Sequence, residues 1–172
     1  MKKTGECFVP NQSTSYEIQI NVERYIYAMM LAENKTVLDA ACGAGLGTYF
    51  YSLVAKKVYA VDYRQEHLEY AKEYPAYNAE YLKLDLNKDL LPEHDLTISL
   101  ETIEHLTDPK FFMENLKSKE LVFSVPLNSL SCSEWHTQDI RTIDDIKKII
   151  KPFEIKNFYL QADRWIYGHA LR

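Results

Sequence analysis

The 172-residue chain reads as an α/β fold, an open and mostly parallel sheet with helices on both faces. Three features predict it. Short apolar runs alternate with segments of helical period in what reads as five strand–helix alternations. A glycine-rich turn joins the first run directly to the helix behind it. Two strand-like segments follow one another at the C-terminus. Sheets of this kind bind ligands beyond the carboxyl ends of their strands, so the residues closing each run carry the functional reading.

Thr14 and Glu17 have the spacing of a capping box. Behind them Ile18, Val22, Tyr25, Ile26, Met29 and Met30 recur at helical spacing, predicting a leading helix over residues 16–33. Residues 35–41 (KTVLDAA) form a short buried strand that enters the glycine turn. A helix over 46–55, a strand over 57–61 closed by Asp62, and a helix over 65–72 with Leu68 and Ala71 inward come next. Strands over 80–84 and 95–100 follow. Thr107, Asp108 and Pro109 start a helix through Phe111, Phe112, Met113 and Leu116, because a capping side chain stands before a proline whose missing N–H has no helical partner to lose. Residues 120–125 are a fifth strand, stopped by Pro126, and the polar stretch 128–139 is expected as a loop. Thr142 and Asp145 cap a helix with Ile143, Ile146, Ile149 and Ile150 on one side, and strands over 154–160 and 164–171 complete the chain. Without repeat, low-complexity tract or linker, a single domain over 1–172 is expected. Residues 1–15 could fold over a ligand as a lid; a frayed terminus is the alternative.

Hydrophobic residues make up 47% and charged residues 26% of the chain, which suits a soluble globular domain with a core of its own. The formal charge of −5, with basic residues dispersed in short pairs such as Lys56-Lys57 and Lys147-Lys148, disfavours a nucleic-acid partner. Cys7, Cys42 and Cys132 are odd in number, far apart, and lack C-x-x-C spacing. Cys42, in an apolar and glycine-rich stretch, is expected as a buried reduced thiol. No apolar run follows Lys2 and Lys3, and the longest membrane-like stretch, residues 25–32, is far short of a span. A cytoplasmic location without a membrane partner is expected.

The densest signal lies over residues 37–47 (VLDAACGAGLG). A strand delivers the chain into a turn where absent side chains let the backbone approach a ligand, and a helix begins at once. A tight turn without ligand would look the same, so the neighbouring residues decide. The spacing is G-x-G-x-G rather than the G-x-G-x-x-G of dinucleotide folds. Asp39, at the strand end, suits a positively charged ligand better than a pyrophosphate. Asp62 closes the next strand, where a carboxylate can accept both hydroxyls of a ribose. Asp85 closes the third, placed to accept from an adenine amino group. Each aspartate alone could be a cap or a turn residue; three at successive strand ends beside the glycine turn are hard to explain that way.

The segment from Asp39 through Asp62 to Asp85 resembles the cofactor half of class I S-adenosylmethionine-dependent methyltransferases, which are Rossmann-like with a mostly parallel seven-stranded sheet. The resemblance implies S-adenosylmethionine as methyl donor and S-adenosylhomocysteine as product. It places the glycine loop under the methionine and ribose, the acid after the second strand on the ribose, and the acid after the third by the adenine. Carried to this chain, the cofactor-binding residues are Asp39, Ala41, Gly43, Gly45, Asp62, Tyr63, Asp85, Leu86 and Leu100. Residues 5–10 (GECFVP) are similar to the G-E-R-F-V-P opening of a bacterial subgroup often found with sugar-modifying and glycosyltransferase functions. That subgroup also carries E-T-I-E-H-L, here residues 101–106. Its strand ending S-x-P-N and its F-H-x-x-E-F correspond to residues 124–128 (SVPLN) and 135–140 (WHTQDI). Cys7 stands for the subgroup's arginine, Leu127 is inserted before Asn128, and a Pro-Gly-Gly turn has shrunk to residues 117–119.

Glu101, Glu104 and His105 follow the fourth strand. If Glu101 begins a helical turn, spacings of three and four put all three on one face. His136, from the loop after the fifth strand, would add a fourth ligand, in a set suited to Mg²⁺ or Mn²⁺. The E-x-x-E-H pattern with a distant histidine resembles the metal site of small-RNA terminal 2′-O-methyltransferases and the motif of ubiquinone-pathway O-methyltransferases. A cation on the acceptor oxygen would lower the pKa of its hydroxyl. Otherwise His105 or His136 acts as general base, with Glu104 as the third member of the catalytic group. The alternative is that the acids and histidine cap or pair within the turn and hold no metal. The resulting expectation is O-methylation of a small polar acceptor such as a sugar hydroxyl. Its rivals are N-methylation of a small amine, a cofactor-binding module without activity, and a nicotinamide-dependent enzyme.

Overall fold

The computed structural model describes residues 7–172, apart from the side chain of Cys132. Gly5 and Glu6 of the GECFVP segment, and residues 1–6 of the expected lid, lie outside the described residues. The chain divides into two compact units, Met1–Asp85 and Leu86–Arg172.

In the first unit a short 3₁₀ turn, Pro10–Gln12, precedes helix α1 (Ser15–Leu31). Its capping box forms as expected. The Glu17 N–H donates to Thr14 Oγ1 at 3.2 Å, and the Thr14 N–H donates to the Glu17 carboxylate at 2.7 Å. Two donors that a helix start leaves open are thereby satisfied. Ile20, Arg24 and Ala28, four residues apart, are the buried residues of α1. Strand β1 (Thr36–Ala40), helix α2 (Leu46–Ser52), strand β2 (Lys57–Asp62), helix α3 (Gln65–Ala71) and strand β3 (Ala79–Lys83) follow. The strands are parallel in the order β3-β2-β1. Val37, Leu38, Val58, Ala60 and Val61 are fully buried, as strands covered on both faces require. Tyr25 of α1 packs against Phe8, Phe50 and Tyr51 with ring centroids 6.0–6.4 Å apart, fastening α1 to α2.

The second unit holds β4 (Leu96–Leu100), a 3₁₀ turn at Ile103–His105, α4 (Pro109–Asn115), β5 (Glu120–Pro126), α5 (Ser129–Cys132), α6 (Ile143–Ile149), β6 (Glu154–Gln161) and β7 (Trp165–Leu171). The order is β4-β5-β7-β6, with β4 and β5 parallel and β7 antiparallel to both of its neighbours. Asp108 caps α4 by accepting the Phe111 N–H at 2.9 Å, with Pro109 behind it. Thr142 and Asp145 form the second capping box. A buried chain runs from His94 Nε2 to Thr97 Oγ1 at 2.8 Å and on to Ser118 Oγ at 2.7 Å, joining the starts of β4 and β5. Burial holds the His94 imidazole below its ordinary pKa, so it sits there as a neutral structural link.

The seven strands and their parallel helix-linked pairs agree with the expected Rossmann-like fold; the sheet is mixed, through β7. Four expectations need correction. The helix after the glycine turn stops at Ser52 rather than continuing to residue 55, because the chain tightens there: the Leu53, Val54 and Ala55 N–H groups fold back onto Phe50 and Tyr51 carbonyls. The strand–helix alternation is broken between β3 and β4, where residues 84–95 contain no helix. Residues 128–139 are not all loop: Asn128, at φ +54°, turns the chain into the four-residue α5. Glu101 does not begin a helical turn. It lies in the left-handed region at φ +51°, and the 3₁₀ turn starts two residues later. Among the described residues, no helix is long and apolar enough to cross a membrane.

Gly45 combines φ +84° with an ideal Cβ position only 2.5 Å from Ala71 Cβ. Gly45→Ala should therefore lower unfolding stability by about 3 kcal/mol, from left-handed strain and overlap together. Chemical denaturation would measure this. An unchanged midpoint would show that the turn relaxes freely.

Candidate functional site

In the first unit the chain leaves β1 through three left-handed residues, Ala41 (φ +61°), Gly43 (φ +52°) and Gly45 (φ +84°). Cys42 sits between them and extends the ladder by donating its N–H to the Val61 carbonyl at 2.8 Å. The turn is anchored by Asp62 at the end of β2. Asp62 Oδ2 accepts the Gly43 N–H at 3.0 Å, and Oδ1 accepts the Arg64 N–H at 2.9 Å. His67 Nδ1 approaches both oxygens at 3.2 Å. Asp62 is thus buried, and oriented by donors from two different turns.

Asp39 is buried inside β1, where Thr48 Oγ1 of α2 donates to its Oδ2 at 2.6 Å. Burial dominates its chemistry. Desolvation pushes the carboxyl up to about 7; the Thr48 bond opposes that shift and the nearby Asp62 charge adds to it. Gly47 brings α1 close, since a Cβ there would lie 3.0 Å from Tyr51 Oη and 3.1 Å from the Tyr25 ring. Arg24 is buried on α1, and its charge acts on the buried Tyr51 phenol, as does that of Asp39. Cys7 and Val9 pack with Ala44 and Tyr70. Cys42 is half-buried rather than buried, yet desolvation still drives its thiol well above the usual pKa.

The other residues assigned to the cofactor are more scattered in character. Tyr63 is exposed, with its Oη accepting from Arg64 Nε at 2.8 Å. Asp85 lies two residues beyond β3 and is half-buried, Leu86 is buried, and Leu100 at the end of β4 is half-buried.

In the second unit three side chains converge: donor atoms of Glu104, His105 and His136 lie within 4.8 Å of one another. The two imidazole rings stand edge to face with centroids 4.6 Å apart. Glu104 is fully buried, and both histidines are half-buried. Glu101 is not part of this trio; its carboxylate accepts the Ser124 hydroxyl at 2.8 Å.

The segment carrying His136 is clamped onto the 3₁₀ turn. Thr137 N–H and Gln138 N–H donate to the Glu104 carbonyl at 2.7 and 3.2 Å, while Thr137 Oγ1 and Gln138 Nε2 each reach the Leu106 carbonyl at 2.7 Å. Ser129, fully buried, closes the other side. Its hydroxyl donates to the Gln138 carbonyl and accepts the Ile140 N–H, and its own carbonyl faces His136 Nδ1. His105 Nδ1 faces the Trp135 carbonyl at 3.3 Å. A carbonyl only accepts, so both histidines carry their proton on Nδ1 when neutral, and each presents its lone pair at Nε2.

Sequence reading missed Arg24, Thr48, His67, Ser129, Thr137 and Gln138, as well as Asn87. The Asn87 Oδ1 accepts from Thr107 N, Thr107 Oγ1 and Asp108 N at 2.9–3.1 Å. None stands in a spaced motif, although Thr137 and Gln138 fall inside WHTQDI.

Residues 37–118 match the family described as a methyltransferase domain. A ubiquinone biosynthesis O-methyltransferase of Bartonella tribocorum is 26% identical over 83% of the chain, which spans 65% of that protein's length. Two solved structures share the fold. An S-adenosylmethionine-dependent methyltransferase from Aquifex aeolicus has a TM-score of 0.74 at 21% identity, covering 95% of this chain and 98% of its own. The N-methyltransferase NodS from Bradyrhizobium japonicum, solved with S-adenosylhomocysteine, has a TM-score of 0.75 at 14% identity, covering 94% and 89%. The fold is accordingly that of S-adenosylmethionine-dependent methyltransferases.

Folded Asp39 keeps its proton to about pH 7, whereas the ordinary carboxyl value is 3.8. The folded state thus binds more protons across that window, and the Asp39 contribution to stability falls as pH rises through it, then levels off above pH 7. Relative to Asp39→Asn, the wild type should lose at most about 4 kcal/mol between pH 4 and pH 7. Urea unfolding across this range would test it; parallel profiles for the two proteins would remove the effect.

Proposed function

We propose that the chain transfers the methyl group of S-adenosylmethionine to a hydroxyl of a small-molecule acceptor, with a divalent cation held at Glu104, His105 and His136. The observation that carries the hydroxyl assignment is that trio. Two imidazoles locked to present Nε2, beside a buried carboxylate, form a donor set that fits a cation and that amine methylation has no need of. S-Adenosylmethionine supplies an activated methyl, and the cation a Lewis acid for the acceptor oxygen.

On the donor side the glycine turn and Asp62 fit a ribose-bearing ligand, because missing side chains admit it and a carboxylate receives its hydroxyls. Arg24 and Asp39, a guanidinium and a carboxyl buried near Tyr51, fit the carboxylate and the ammonium of a methionine moiety. A cationic ligand there favours the ionised form of Asp39, so cofactor affinity rises as pH passes upward through about 7. Asp85, Tyr63, Leu86, Leu100, Ala41 and Gly45 complete the proposed cofactor residues.

On the acceptor side, the Trp135 and Ser129 carbonyls fix both histidine tautomers, as the outer partners of metal-bound histidines do. The donor atoms lie close enough for modest side-chain movement to bring them to bonds of roughly 2.0–2.2 Å. One carboxylate and two imidazoles give a mixed oxygen and nitrogen donor set for Mg²⁺ or Mn²⁺. Glu101, whose carboxylate accepts the Ser124 hydroxyl, is not a ligand in this reading. Without a cation, the Nε2 of His105 or His136 is placed to take the acceptor's proton. A small sugar hydroxyl is one acceptor of the proposed class. The enzyme is expected in the cytoplasm, as a single functional domain over 1–172.

Asp62→Ala should weaken S-adenosylhomocysteine binding by at least tenfold in calorimetry, through loss of charge-assisted bonds to the ribose. Wild-type affinity in that variant would refute the ribose role. Glu104→Ala combined with His136→Ala should abolish Mn²⁺ binding while leaving S-adenosylhomocysteine affinity unchanged. Metal-free wild type that also ignores added Mn²⁺ would leave the trio as a structural cluster.

A further inference from the structure

We propose that His67 is a positioning residue for the cofactor, holding the Asp62 carboxylate in the orientation that receives the ribose. The proposal rests on Asp62 being the ribose acceptor. His67 lies in the first turn of α3, five residues after Asp62, and is 4% exposed. Its Nδ1 stands 3.2 Å from each carboxylate oxygen. A carboxylate only accepts, so Nδ1 carries a proton, and in the neutral ring Nε2 is left as an acceptor.

That Nε2 is buried and has no hydrogen-bond partner among the described residues. A buried acceptor without a donor is a cost that an apolar side chain of similar volume would not incur. The other inward positions of α3, Leu68 and Ala71, are apolar and fully packed. What offsets the cost must come from Nδ1, and Nδ1 faces Asp62.

The two backbone donors each fix one oxygen only, Gly43 on Oδ2 and Arg64 on Oδ1. His67 Nδ1 hydrogen-bonds Oδ2 and stands 3.2 Å from Oδ1 as well, so it adds a buried side-chain donor that narrows a carboxylate torsion which is intrinsically broad. A ribose diol presents two donors at a fixed separation and is sensitive to that plane. His67 acts through Asp62 and does not itself touch the cofactor.

The test is calorimetric binding of S-adenosylhomocysteine to wild type, His67→Leu, His67→Asn, His67→Gln, Asp62→Ala and the Asp62→Ala/His67→Leu double variant. Asparagine can place an amide N–H near the Nδ1 position, whereas the longer glutamine reaches toward Nε2. His67→Leu and His67→Gln should weaken binding roughly tenfold, and His67→Asn should stay within about threefold of wild type. Adding His67→Leu to Asp62→Ala should cause no further loss. Wild-type affinity in His67→Leu alongside weakened Asp62→Ala would overturn the proposal, as would a full additional loss in the double variant. Wild-type affinity in Asp62→Ala would instead overturn the underlying ribose assignment. Should His67→Leu fail to fold, the asparagine and glutamine variants decide alone: equal affinities would overturn the proposal.

Discussion

The bond from the Gly43 N–H to Asp62 Oδ2, 3.0 Å long, ties the turn after β1 to the end of β2, and much of the first unit follows from it. For Gly43 to point its N–H there, the chain must pass through the left-handed region at Ala41, Gly43 and Gly45. That path needs small residues, and it brings Gly45 so close to Ala71 that α3 must also be small at the contact. Asp39 and Thr48 close the same turn from the β1 and α2 sides. Two carboxylates are thereby buried near one another, and they are treated differently. Asp62 receives donors from Gly43, Arg64 and His67, whereas Asp39 has the Thr48 hydroxyl and keeps its proton to about pH 7. Unequal environments for neighbouring acids give one turn two chemical characters, a carboxylate already held by several donors and a desolvated carboxyl that keeps its proton to about pH 7.

The second unit solves a different problem, that of bringing a histidine from a polar segment to a 3₁₀ turn some thirty residues away in sequence (His105 to Trp135 spans 30). Apolar packing cannot do it, because the segment carries Glu134, Trp135, His136, Thr137 and Gln138 with little to bury. Hydrogen bonds do it instead. Thr137 and Gln138 use backbone and side-chain donors on the Glu104 and Leu106 carbonyls, and the buried Ser129 holds the segment from behind. The carbonyls of Ser129 and Trp135 then fix the imidazole tautomers. The same contacts that order the segment therefore decide which ring nitrogen presents a lone pair.

Much of this organisation was legible in the sequence, for local reasons. Parallel strands covered on both faces read as continuous apolar runs, which is why β1, β2, β4 and β5 fall within a residue of their expected bounds. Capping chemistry is confined to four residues, so both capping boxes and the Asp108–Pro109 helix start could be read directly. The short α5 has too few residues to show a period. Spacing puts Glu101 on one face with Glu104 and His105 only if a helical turn begins there, whereas its backbone is left-handed and its carboxylate accepts the Ser124 hydroxyl on the adjacent strand. The partners of the key acids, Thr48 and His67, stand at ordinary helical positions with no motif to mark them.

By itself the sequence determined the order of the strands and of the longer helices, the glycine turn, and the acids at or just past the ends of successive strands. These depend on neighbours within a few residues, and on burial patterns that repeat along the chain. Only the tertiary structure decided which acid is held by backbone donors and which is left to keep its proton. It also decided that Glu104, His105 and His136 meet while the Glu101 carboxylate bonds to Ser124. Protonation and convergence are set by what lies across space from each group, and a carboxylate's desolvation or an imidazole's tautomer has no local trace in the order of residues.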